Sequence, residues 1–165
     1  MDESSATADP SSSPRVERLV HAEQAVLERG GTCLRLAGLY LLQRGAHSFW
    51  LSGASKSVRG RPDGIINLLH YDDAAGACLA ALTTGSPTVA GQTLLVSDGN
   101  PLTRQEILQA ALQSKPYQDK EMPAFDEYSD ADPKGKVYNG AKTNQRIKWK
   151  PRYESFAKFM EQHQS

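Results

Sequence analysis

The stretch NLLHYDDAAGACLAAL, residues 67–82, sets Asn67, His70, Tyr71, Asp72 and Asp73 between two apolar runs. An amide, an imidazole and two carboxylates at a strand–helix junction are groups that can orient a polar substrate in a pocket. Each also has a plainer use. An aspartate just ahead of an apolar helix accepts hydrogen bonds from the free N–H groups of the first turn, so Asp72 or Asp73 reads first as an N-cap. Asn67 and His70 read first as polar side chains satisfied in or beside a buried strand, with pocket lining as the alternative. The rest of the chain adds no complete catalytic set. His21, His47, His70 and His163 lack metal-ligand spacing, and neither Cys33 nor Cys78 lies in a metal or redox motif. The sequence has no G-x-G-x-x-G, no G-x-x-x-x-G-K-[ST] and no G-x-S-x-G. Spacing alone therefore shows neither a phosphate-cradling loop nor a nucleophile elbow. Lys56, Arg59 and Arg61 form a local basic cluster that reads as a solvated loop, with anion binding as the alternative.

The elements that must position these residues can be read from periodicity and punctuation. Residues 1–13 are rich in Ser, Asp, Thr and Pro with little to bury, which predicts an exposed loop or disordered tail ahead of a domain over 14–165. Ser13 and Pro14 start a helix whose apolar face is Val16, Leu19, Val20, Val26 and Leu27, and Gly30-Gly31 stops it. TCLRLAGLY, 32–40, predicts a short buried strand turning at Gly38. Residues 41–64 have no helical or strand period and read as a long connection, of the kind that often carries function. Ile65 to Leu69 predicts a second strand and 73–83 an alanine-rich helix packed closely on most sides. TLLVS is a third strand, and Thr103 with Glu106 makes a capping box for a helix through about Leu112. Residues 116–140 are irregular. After Pro151, Tyr153, Phe156, Phe159 and Met160 recur at helical spacing.

A chain of 165 residues fits one domain, large enough to bury roughly 70% of its unfolded surface. With 19 acidic and 19 basic residues, it lacks the basic excess of a nucleic-acid binder. No apolar run approaches the ~18 residues of a membrane span, and MDESSATADPSSSP lacks the pattern of a secretory signal. Both cysteines sit in apolar contexts, where a free thiol acts as a small hydrophobe. These features predict a soluble intracellular protein that engages neither nucleic acid nor membrane.

Taken in order, HAEQAVL (21–27), LRLAGLY (34–40), INLLHYDDAAGACLAAL (66–82), LLVSDGNPLTRQEI (94–107) and Trp149-Lys150-Pro151 with its aromatic helix resemble one family. They are similar to the C-terminal half of an extended or atypical short-chain dehydrogenase, of the NAD-dependent epimerase/dehydratase-like group. The resemblance runs from about Pro14 over nearly the whole chain, and its specificity lies in order and spacing more than in any single motif. It implies an α/β chain: a partial Rossmann-type fold, the C-terminal strands and helices, with a substrate-binding subdomain. Arg35, Gly38 and Tyr40 match the loop that passes near the nicotinamide and are carried over as cofactor-binding. Arg44, Asn67, His70 and Asp73 match the substrate side. Leu41-Leu42 replace the family's Gly-Pro, which alters that loop. The helix 14–29 matches one used in dimeric four-helix interfaces, which implies a homodimer.

The resemblance also shows what is replaced. The family's glycine-rich dinucleotide fingerprint belongs upstream of the matched region. Its Tyr-x-x-x-Lys pair falls where this chain has Arg15 and Leu19. Arginine, with a pKa above ~12, donates no proton near neutrality, and leucine cannot hold a ribose, so no catalytic residue is assigned. The expectation is a substrate-side portion of an NAD(P)-dependent oxidoreductase or epimerase, inactive alone. NAD or NADP and a small-molecule substrate would belong to the full-length parent, and no cofactor is expected for this chain by itself. A non-catalytic NAD(P)-binding or regulatory module, or a truncated gene product without independent function, are the alternatives. Cytoplasmic and chloroplast locations are both compatible with the sequence. Because only about two strands of the main sheet are present, one sheet edge is expected to lie open.

Overall fold

The structure of the chain, a computed structural model, describes residues 1–54, 57–85 and 88–164. Lys56 of the basic cluster, and Ser86 and Pro87 of the loop before the third predicted strand, lie outside the described residues. Ahead of the first helix, Pro10–Ser12 makes one 3-10 turn. The residues before it run back along the protein: the Met1 nitrogen donates to the Val137 carbonyl at 2.7 Å, and Glu3 accepts from the Thr143 N–H and hydroxyl at 3.1 and 2.6 Å.

Helix α1 (Pro14–Glu28) begins as its sequence dictates. The Ser13 hydroxyl accepts the Val16 N–H at 3.3 Å, and Pro14 stands where no N–H is needed. Gly30, at φ 72°, takes the left-handed turn that ends it. The single strand predicted over 32–40 is two, β1 (Cys33–Leu36) and β2 (Gly38–Tyr40). In a regular strand successive amides face opposite edges. Here the consecutive Ala37 and Gly38 amides reach the Val96 and Asn67 carbonyls, each at 2.9 Å, so the chain changes its pairing partner at this point. Glycine suits this close approach, because a Cβ on Gly38 would lie 3.1 Å from the Asn67 carbonyl oxygen, tighter than an ordinary contact.

The long connection holds a short helix, α2 (Ala46–Leu51), and the strand β3 (Ser57–Val58). Six residues are under two turns, too few to show a period in the sequence. The predicted strand at 65 is likewise divided into β4 (Ile65–Ile66) and β5 (Leu68–His70), with Asn67 between. Then follow α3 (Tyr71–Thr84), β6 (Thr93–Val96), β7 (Leu102–Thr103), α4 (Arg104–Leu112), β8 (Ala124–Phe125), α5 (Ala141–Arg146) and α6 (Phe156–Glu161). Helix α4 carries the full capping box: Glu106 N–H donates to the Thr103 hydroxyl, and Thr103 N–H to the Glu106 carboxylate at 2.8 Å. Thr103→Ala is expected to lower stability by about 1 kcal/mol in urea unfolding.

β1 pairs in parallel with β6, β2 in parallel with β5, and β3 in parallel with β8, whereas β4 and β7 are antiparallel. The Asp98 amide donates to the Leu68 carbonyl at 2.9 Å, so β5 lies between β2 and the continuation of β6. Two apolar clusters hold these pieces. One packs Leu69, Leu94 and Val96 against Ala74, Ala77 and Ala81 of α3. The other joins Tyr40 and Leu68 to Ile107 and Leu108 of α4 and Phe156, Phe159 and Met160 of α6. The expectation that the alanine-rich helix packs on most sides is corrected: Leu79 and Leu82 of α3 are 62% and 79% exposed. Its small residues form one close-packed stripe against the sheet, and Cys78 is exposed on the other face.

Candidate functional site

The site region is the end of β5 and the start of α3, enclosed by the segments after β2 and β6 and by residues 149–153. The N-cap is His70, not Asp72 or Asp73, which corrects the sequence reading. Its Nδ1 accepts the Asp72 N–H at 3.1 Å, so the ring proton sits on Nε2. Burial pushes the imidazole pKa down, against the attraction of Asp72, and holds the ring neutral as the cap requires. The ring packs 4.0 Å from that of Tyr153 and 4.8 Å from that of Phe159, centroid to centroid.

Asp73, buried at 3% exposure, serves a distant segment. Its two carboxylate oxygens accept the Arg152 and Tyr153 N–H groups at 2.6 and 3.1 Å, fastening the approach to α6 onto α3. Asn67 fastens a second segment. Its Nδ2 donates to the Lys136 carbonyl at 2.6 Å and its Oδ1 accepts the Tyr138 N–H at 2.8 Å. Both residues thus convert a single buried side chain into a clamp on irregular backbone, whose N–H and C=O groups need partners once buried.

Tyr40 lies opposite His70 in the β2–β5 register, with ring centroids 5.2 Å apart. It is fully buried, and its hydroxyl has no partner among the described residues. Burial, reinforced by the negative charges of Asp98 and Asp73, keeps that phenol protonated. Removing an unsatisfied buried hydroxyl relieves its desolvation cost, so Tyr40→Phe is expected to leave stability unchanged or raise it by up to about 1 kcal/mol in urea unfolding.

Spacing did not single out Asp98. One of its oxygens accepts the Asn100 N–H at 2.9 Å, while the other is buried without a partner among the described residues. Burial pushes its carboxyl up to about 7, and the Asp73 charge adds to the shift. The sequence signal is SDG directly after an apolar strand, which reads as a turn. The polar character hid the fact that the sheet continues through the Asp98 amide.

The structure brings together Gly38, Tyr40, Asn67, His70 and Asp73. Arg44 lies nearby, its guanidinium 5.2 Å from the centre of the Tyr71 ring. Arg35 stands apart, held by Glu23 of α1 through Nε–Oε1 at 2.9 Å. It lines a cleft of about 520 Å³ between α1, β1 and residues 1–8, which none of the other predicted site residues reaches. A smaller cleft of about 360 Å³ is lined by Leu42, Gln43, Lys115 and His163 beyond the loop after β2. Among the described residues no group of three or more His, Cys, Asp or Glu could hold a metal ion, and no helix is long and apolar enough to cross a membrane.

No family model matches the sequence, and no curated protein does. Solved structures do match. A dTDP-glucose 4,6-dehydratase from Bacillus anthracis, in complex with NAD, superposes with TM-score 0.72 and 16% identity over 98% of this chain and 53% of its own. A UDP-glucose-4-epimerase from Stenotrophomonas maltophila, with bound NAD and formylated UDP-arabinopyranose, gives 0.74 and 15% over 99% and 56%. A conserved protein of unknown function from Silicibacter pomeroyi gives 0.72 and 21% over 99% and 59%. The chain therefore spans little more than half the length of the structures it matches. Parallel strands, covering helices and this likeness together define an α/β chain with a Rossmann-like fold, equivalent to about half of such an epimerase or dehydratase structure.

Proposed function

We propose that the chain is the substrate-side, C-terminal portion of an NAD(P)-dependent epimerase/dehydratase/reductase-like protein. The observation that carries the reading is the fold likeness over 98–99% of this chain to enzymes solved with NAD, at about half their length. In the parent, Gly38 and Tyr40 would shape one wall near the nicotinamide, with Arg35 apart from them in its ion pair with Glu23, and Arg44, Asn67, His70 and Asp73 would shape the substrate side. The geometry supports an indirect role for Asn67, His70 and Asp73: each fixes backbone bordering the region. The substrate class that fits the matched structures is a sugar nucleotide.

The chain's own residues do not make a dinucleotide seat. Pyrophosphate binding needs a glycine-rich strand–turn–helix, and no such motif is in the sequence. Arg15 and Leu19 are both exposed on α1, where the proton-transfer pair would stand. That substitution favours a second reading, a non-catalytic NAD(P)-binding or regulatory module. A homodimer through helix α1 rests on the family resemblance alone, because its outer face carries Glu17, Arg18, His21 and Glu28, an ordinary solvated pattern.

The test is reconstitution with the polypeptide encoded directly upstream of Met1, assayed with NAD and NADP against sugar nucleotides and aldehydes. Turnover would establish the first reading. Dinucleotide binding without turnover would establish the second reading, and neither binding nor turnover would overturn both.

A further inference from the structure

We infer that the exposed basic row of Arg146, Lys148, Lys150 and Arg152 is an interaction surface that receives the acidic run 119–132 of a second copy of this chain. The inference is independent of the proposed function. The formal net charge of the chain is zero, but its charges are segregated. Residues 134–152 hold seven Lys and Arg and no Asp or Glu, whereas in 119–132 six Asp and Glu stand against Lys120 alone. Lys134 and Lys142 are neutralised by Asp63 and Asp2, each at 3.2 Å. Arg146, Lys148, Lys150 and Arg152 enter no ion pair among the described residues. The acids beside them, Asp73 under the Arg152 amide and Glu154 two residues on, lie at one end of the row.

The row is built on a fixed platform. Burial alternates from 146 to 153: the four cations are exposed, Ile147 is buried, and Trp149, Pro151 and Tyr153 are partly buried. Ile147 and Trp149 pack with the alanine stripe of α3, and Asp73 pins the Arg152 and Tyr153 amides. The cations are thus held in solvent while their neighbours are anchored. Arg146 and Lys148 also rim a cleft of about 520 Å³ with Thr83, Thr84 and Thr88, which has room for a carboxylate side chain. Cations at the end of α5 complement its dipole, which accounts for Arg146 and Lys148. Lys150 and Arg152 lie beyond that helix and have no such use.

Charge and placement select the occupant. Asp119, Glu121 and Glu127 of the acidic run are exposed and enter no ion pair among the described residues. Tyr117 and Phe125, which seat the run, pack in the cluster around Tyr40, whereas Ile147 and Trp149 of the row pack in the other. No ion pair joins run to row within the chain among the described residues. The complement of each surface is therefore met on another copy, and opposite charge steers the two together. With Ile147 buried and Trp149 and Tyr153 half-buried, the row offers little for base stacking or for insertion into a bilayer. The acidic run would itself repel a polyanion.

Sedimentation velocity of the full chain, over a series of protein and salt concentrations, tests this. At about 20 mM salt the weight-average mass is expected to rise with protein concentration, and the association to weaken ~10-fold or more by about 300 mM. Lys148→Gln with Lys150→Gln, and separately Glu121→Gln with Glu127→Gln, should each weaken self-association ~10-fold or more and leave the urea midpoint unchanged. Mixing the two variants should restore association between them, because each keeps the surface the other has lost. A chain that stays monomeric at low salt up to about 0.5 mM would overturn the inference. So would a mixture of the variants that stays monomeric, or association that both variants and high salt leave intact, which would put the contact elsewhere, α1 included. Binding of an RNA oligonucleotide or of anionic vesicles through the row, without self-association, would assign the surface to a polyanion and overturn it as well.

Discussion

Asp73→Ala is expected to lower folding stability by about 3 kcal/mol or more. The carboxylate is buried and holds two backbone N–H groups on a segment almost eighty positions away, at 2.6 and 3.1 Å. Hydrogen bonds to a charged group contribute about 1.5–3 kcal/mol each, and truncation leaves both donors unpaired. The loss extends to packing, because these bonds seat Tyr153 on His70 and lead the chain into the buried Phe156, Phe159 and Met160. Asp73→Asn retains one acceptor and should lose about half as much. Urea unfolding followed by tryptophan fluorescence reads both variants. A change under about 0.5 kcal/mol for the alanine variant would show that the clamp does not hold the segment.

The second large effect is on pH dependence. Burial, helped by the charge of Asp73, raises the Asp98 carboxyl in the folded chain from 3.8 to about 7. The folded state therefore binds this proton more tightly than the unfolded state. Its contribution to stability is complete below about pH 4, declines as the pH rises, and is lost above about pH 7. The full span is on the order of 4 kcal/mol. Asp98→Asn keeps an acceptor for the Asn100 N–H and carries no charge. It is expected to flatten the pH 4–7 limb and to raise stability at pH 8 by an amount of that order. Parallel pH profiles for the two proteins would contradict the assignment.

What the sequence disclosed was largely local. Ser13-Pro14, Gly30, the Thr103–Glu106 box and, of the stripe read after Pro151, Phe156, Phe159 and Met160 all act through neighbours within one or two turns, whereas Tyr153 lies ahead of α6. Helices α2 and α5 have six residues each, too short to show a period. The break between β1 and β2 depends on which strand accepts each of two consecutive amides, and that is a tertiary fact. The same distinction runs through the site. The junction at 67–73 was legible as a place where polar groups meet a strand end. The assignment of the cap was not, because Asp outranks His at an N-cap by propensity, and here Asp73 is claimed by Arg152 and Tyr153. Asp98 escaped notice because an Asp–Gly pair after a strand ordinarily marks a solvated turn.

The central claim is that this chain has the scaffold of a nucleotide enzyme's substrate side without the means to hold the dinucleotide by itself. Isothermal titration of the purified chain with NADH and NADPH measures that most directly. The account predicts no saturable heat for either nucleotide up to about 1 mM, and a dissociation constant near 1 μM for either one, roughly −8 kcal/mol of binding free energy, would contradict it.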